Sequence, residues 1–107
     1  MKLGLFLRPT GHHVAAWRDE AADAEGSFDH FLAMARFAEE ACFDMLFCAD
    51  IATLWEGASE SLCRLGTIAR IDPYTLLTAI GGQTKKIGVV CTGTTTYDQP
   101  FHVARRF

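Results

Sequence analysis

Long apolar runs, a surplus of positive charge and paired cysteines are all missing from this 107-residue sequence, and each absence removes a class of function. No apolar stretch approaches the ~18 residues that a membrane-spanning helix needs, so no span is expected. Met1-Lys2, the short run Leu3 to Leu7 and then Arg8 are too brief for a secretory signal, which points to the cytoplasm. Ten Lys and Arg stand against thirteen Asp and Glu, a formal charge of −3 with no like-charged block, and this leaves no basic face for nucleic acid. Cys42, Cys48, Cys63 and Cys91 are 6, 15 and 28 positions apart with no C-x-x-C pair, and three of them sit in or beside apolar runs. That pattern reads as core thiols rather than a disulfide framework or a metal site. Proline is scarce at three, and two of those, Pro73 and Pro100, stand where helices should begin.

What is present is a globular composition, half hydrophobic and 21% charged, enough for one domain. Leu3 to Leu7 reads as a fully buried first strand, stopped by Arg8, Pro9, Thr10 and Gly11. A connection of roughly 19 residues follows, reaching Gly26 and carrying His12, His13, Trp17 and Arg18; loops of that length are commonly functional. Ser27 is a candidate N-cap for a helix whose inward stripe is Phe28, Phe31, Leu32, Ala35, Ala38 and Cys42. Phe43 to Cys48 gives a second strand, closed by Ala49-Asp50. The segment Ile51 to Asp72 is irregular, with a short helical turn expected around Glu60 to Leu65. Asp72-Pro73 then caps a second helix with Tyr74, Leu77, Ile80 and Gly81 inward, and Lys85 and Lys86 placed to favour its C-terminal dipole.

The C-terminal stretch from Lys85 to Phe107 organises the rest. Ile87 to Cys91 is apolar apart from Gly88 and reads as a strand covered on both faces. Thr92, Gly93, Thr94, Thr95 and Thr96 then place four hydroxyls where that strand ends, and Pro100 starts a third helix. The order β-α-β-α-β-α implies parallel strands joined by right-handed crossovers. Ligands of parallel α/β folds bind outside the carboxyl ends of the strands, so Asp50, the threonine cluster and the His12-His13 segment share one end. Three strands leave two open edges with nothing further to cover them, so the chain reads as the N-terminal piece of a larger α/β domain. GGQTKK precedes a strand and lacks the G-x-G-x-x-G spacing, which excludes a dinucleotide fingerprint. Adjacent histidines without a third ligand at useful spacing give no metal site.

The ordered set GHHVAAWR (Gly11 to Arg18), FDMLFCAD (Phe43 to Asp50), IDPYTLLTAIGGQTKKIGVV (Ile71 to Val90) and CTGTTTYDQPFHVARRF (Cys91 to Phe107) resembles the luciferase-like flavin monooxygenases. Within them it is most similar to the branch of nitrilotriacetate monooxygenase component A, the dibenzothiophene-sulfone monooxygenases and the long-chain alkane monooxygenase. The resemblance implies an incomplete TIM (β/α)8 barrel, with residues 1–107 as the N-terminal part of a single domain carrying the first three βα units. It also implies reduced FMN as cofactor, delivered by a separate flavin reductase, with O2 and a small organic substrate as reactants and a homo-oligomeric full-length protein. On this resemblance Asp50 matches an acidic residue near the flavin. Thr92 and Thr94 match small or hydroxyl residues against its ring, and His12 or His13 matches a position facing the substrate. Contacts to the flavin phosphate come, in the family, from later strands. Two further readings stand beside this one: a deazaflavin-dependent oxidoreductase of the same fold, and a non-catalytic truncated α/β remnant.

Overall fold

The computed structural model describes residues 1–9, 13, 15, 18, 26–51 and 71–107. Six elements lie in these segments, in the order β1 (Gly4–Phe6), α1 (Phe28–Glu40), β2 (Met45–Cys48), α2 (Pro73–Gly81), β3 (Gly88–Cys91) and α3 (Pro100–Arg106). Both expected caps form from local chemistry. The Ser27 hydroxyl accepts from the His30 N–H at 3.3 Å, and the Asp72 carboxylate accepts from the Thr75 N–H at 2.9 Å. Pro73 and Pro100 each open a helix, where a missing N–H leaves no bond unmade.

The strands are parallel in the order β1-β2-β3, with Gly4, Leu5 and Phe6 opposite Met45, Leu46 and Phe47, and Leu46 to Cys48 opposite Val89 to Cys91. The order never reverses, so right-handed crossovers put α1 and α2 on the same side of the sheet. Between them lies the core: Leu7, Leu46 and Ile87 from the sheet side, Phe31, Ala35 and Ala38 from α1, and Leu76, Leu77 and Ile80 from α2. Ala35 and Ala38 are the most deeply buried residues of α1, so its inward stripe is built partly of small side chains. Leu46 on the central strand is fully buried.

The opposite face is bare among the described residues. Because side chains alternate along a strand, Phe6, Met45, Phe47 and Val90 share that face, and the Phe6 and Phe47 rings meet edge to face at 5.0 Å. Met45 is 40% and Val90 41% exposed. This corrects the expectation of strands buried on both sides: Leu3, Val89 and Val90 are all exposed, because both helices lie on one face and β1 and β3 are edges.

Two stripe positions also need correction. Cys42 does not face the core. Helix α1 ends at Glu40 with Ala41 as its cap, and Cys42 takes a left-handed conformation (φ 61°) in the turn toward β2, where it is exposed. Gly81, the last residue of α2, is exposed as well. Cys48 and Cys91 are half-buried against the core, as small apolar side chains are, while Cys63 and the turn expected at Glu60 to Leu65 lie outside the described residues.

Lys85 and Lys86 act through their backbone rather than through the α2 dipole, since α2 stops at Gly81. Glu39 Oε1, from the end of α1, accepts the N–H groups of Lys85 at 2.8 Å, Lys86 at 2.5 Å and Ile87 at 3.1 Å. One carboxylate thus gathers three donors at the entry to β3. These bonds, with Lys86 the largest contributor, hold the Glu39 carboxyl below its ordinary value of 4.5. A depressed folded pKa contributes stability that is present above the unfolded value and lost as pH falls through the folded one. Glu39→Gln should therefore lower the thermal midpoint at pH 7, and the gap to the wild type should close progressively as pH drops below about 4.5 in thermal melts. A gap that stays constant with pH would show that the charge contributes nothing.

Candidate functional site

The carboxyl ends of β1, β2 and β3 form a rim to the bare sheet face, and each strand brings a polar residue to it. Cys48 and Cys91, the last residues of β2 and β3, lie opposite each other, so the residues after them leave the sheet side by side. The Thr92 N–H donates to the Cys48 carbonyl at 3.3 Å, and the Asp50 N–H donates to Thr92 Oγ1 at 2.7 Å. This clasp fixes the exits of two strands against each other. It also uses the Thr92 hydroxyl as an acceptor, so its proton remains able to donate to a ligand. Asp50 and Thr94 are half-buried, and Thr92 is exposed.

At the end of β1 stands Arg8, half-buried, with its guanidinium 5.7 Å from the centre of the Phe6 ring. Its Nε is buried without a hydrogen-bond partner. Reading Arg8 only as the end of a strand missed a cation on the rim; alternation along β1, which puts residue 8 on the same face as Phe6, is the signal that points to it. His13 is exposed, and its Nδ1 accepts from the Ala15 N–H at 3.1 Å within its own loop. His12 lies outside the described residues. The structure thus brings Asp50 and Thr92 into direct contact and sets Thr94 two residues further on, while His13 is engaged locally.

Tyr74, expected to be plain core packing, has a more particular position. It is buried at the start of α2, with the Phe107 ring edge-on at 5.1 Å and the Arg106 guanidinium 5.6 Å from its ring centre. Arg106 is itself held by Asp98 at 2.6 Å. The phenol oxygen is buried with no hydrogen-bond partner. Burial pushes the Tyr74 pKa up, and Cys91 and Asp50 add to the rise against the opposing Arg106, so the phenol keeps its proton. The Cys91 thiol is also pushed up by burial, then by Asp72 and Asp50, which keeps it protonated and unreactive.

Among the described residues no group of three His, Cys, Asp or Glu could hold a metal ion, and no helix is long and apolar enough to cross a membrane. The rim instead offers a carboxylate, hydroxyls and a guanidinium beside an aromatic and aliphatic face. That combination suits a flat organic ligand with polar edges.

Comparison with known proteins finds monooxygenases among the relatives of this chain. The chain is 44% identical over 109 residues to N-acetyl-S-(2-succino)cysteine monooxygenase of Bacillus subtilis, covering all of this chain and 24% of that protein. It is 32% identical over 116 residues to nitrilotriacetate monooxygenase component A of Aminobacter aminovorans, covering all of this chain and 26% of the relative. Dimethyl-sulfide monooxygenase of Hyphomicrobium sulfonivorans is 29% identical over 99 residues, 87% of this chain and 21% of the relative. The chain therefore spans about a quarter of the length of the curated relatives it matches. The family model described as luciferase-like monooxygenase matches residues 1–107, and the chain belongs to that family.

Proposed function

We propose that this chain is the N-terminal part of a single luciferase-like barrel domain in an FMN-dependent monooxygenase. Reduced FMN would come from a separate flavin reductase, and a small organic substrate would be oxygenated with O2. The observation that carries the reading is the clasp of Asp50 and Thr92, which joins two strand ends at the rim of an open apolar face. The unreversed order of three parallel strands supports a barrel, because winding continued in one direction brings a sheet round on itself.

The residues present fit a flavin. Thr92 and Thr94 are small enough to let a flat ring approach, and their hydroxyls can bond its polar edge. Phe6, Phe47 and Val90 supply an apolar wall beside the same space, against which a flat ring could lie. Held there, reduced FMN would supply the electrons for O2 activation, while the residues around it bind and orient it. Asp50 would hold the β2 exit against the threonine segment through its amide and present a carboxylate at the rim. His12 or His13 would face the substrate from the loop after β1. The relatives named for N-acetyl-S-(2-succino)cysteine and nitrilotriacetate act on carboxylates, and Arg8 is the cation on this rim that could meet such a group.

The test uses the full-length protein with FMN, a flavin reductase and 18O2, offered N-acetyl-S-(2-succino)cysteine and nitrilotriacetate in turn. Incorporation of one 18O atom into product, strictly dependent on FMN, is the expected result. Failure to bind reduced FMN at all, or turnover with a deazaflavin and no label, would reject this reading.

A further inference from the structure

Gly93 and Tyr74 fit tightly together beside the rim. A Cβ at position 93 would lie 2.2 Å from the Tyr74 oxygen, 2.8 Å from Val103 Cγ1 and 3.5 Å from Phe107 Cε2. The first two are closer than any real Cβ contact, so only glycine lets the chain sit in this corner between α2 and α3. Tyr74 has little room to move away: it is only 7% exposed, Phe107 meets its ring edge-on, and Arg106, paired with Asp98, lies against the same ring. Nor is its oxygen drawn there by a hydrogen bond, since it has none. A buried hydroxyl without a partner works against folding, so phenylalanine would serve the core better. What the oxygen does supply is a fixed surface beneath Gly93, flanked on either side by the two threonines of the rim.

We propose that Tyr74 is a positioning residue for the threonine segment. Its oxygen sets how deeply residues 92–94 settle between α2 and α3, and through Gly93 it fixes where Thr92 and Thr94 meet their ligand. The inference rests on the reading of that segment as facing the flavin. Thr92 carries the effect onward, because its hydroxyl holds the Asp50 amide.

The test compares Gly93→Ala, Tyr74→Phe and the double variant in the full-length protein with two readouts. One is hydrogen exchange of the Asp50 amide without flavin; the other is FMN affinity. Gly93→Ala should speed exchange at Asp50 at least tenfold and weaken FMN binding at least tenfold. Tyr74→Phe should speed that exchange about threefold while leaving the thermal midpoint unchanged or raised. The double variant should recover at least threefold of each loss, in part only, because Val103 still crowds the new methyl. Wild-type exchange at Asp50 in Tyr74→Phe, or a double variant no better than Gly93→Ala, would overturn the proposal. If Gly93→Ala does not fold, Tyr74→Phe decides alone by the same criterion. If exchange follows the expected pattern while FMN affinity stays constant across all variants, the positioning role stands and the flavin assignment fails.

Discussion

Residues 1–107 produced alone should self-associate, running as oligomers or aggregates at micromolar concentration in gel filtration. The reason is the bare sheet face. Phe6, Met45, Phe47 and Val90 form an apolar patch on the side away from α1 and α2, and Met45 and Val90 are each about two-fifths exposed. Among the described residues β1 and β3 are edge strands, and such edges are a template for another chain. A charge placed on the β3 side of the patch separates this cause from generic instability. Val90→Lys should shift the isolated chain toward monomer, because a lysine on that face repels a second copy. In a full-length protein whose further strands cover the same face, Val90→Lys should instead cost about 3 kcal/mol or more, since the ammonium is then buried without a partner. The opposite signs are the test. An isolated wild-type chain that is monomeric and unfolds cooperatively would show that the patch does not drive association.

Much of this arrangement is legible in the sequence because the information is local. Ser27, Asp72-Pro73 and Pro100 announce helix starts through bonds or torsions within three residues, and all three helices begin there. The meeting of Asp50 with the threonine segment follows from topology: parallel neighbouring strands bring their carboxyl ends together. Other features depend on contacts between distant residues and leave no local mark. Glu39 looks like a solvated helix charge until α1 is docked beside the turn at Lys85 to Ile87. Tyr74 and Gly93 read separately as a core aromatic and a flexible link, and only the packing of α2 against the end of β3 shows that each requires the other. Cys42 departs from the helical stripe for a different reason. Helical spacing carries the stripe past Glu40, and a left-handed residue that is neither glycine nor asparagine gives no warning that the helix has ended.

Leu46→Ala should cost about 2–5 kcal/mol of stability, measured by denaturant unfolding of the full-length protein. Leu46 is wholly inaccessible, at the centre of the middle strand, with the core side chains of α1 and α2 packed over it. Two features keep the cavity from closing. Hydrogen bonding on both sides holds β2 in register with β1 and β3, so the strand cannot sink toward the helices. On the helix side, Ala35 and Ala38 have no side-chain length with which to fill the space. Leu46→Met, which keeps the volume, should cost less than about 1.5 kcal/mol. The consequence reaches the rim, because β2 runs from Leu46 to Cys48 and delivers Asp50 to Thr92. The alanine variant should therefore lose protection at the Asp50 amide under conditions where it is still mostly folded, and the methionine variant should retain it. Equal stability for the alanine and methionine variants would mean that the strand does relax, and that the clasp between Asp50 and Thr92 does not depend on a rigid β2.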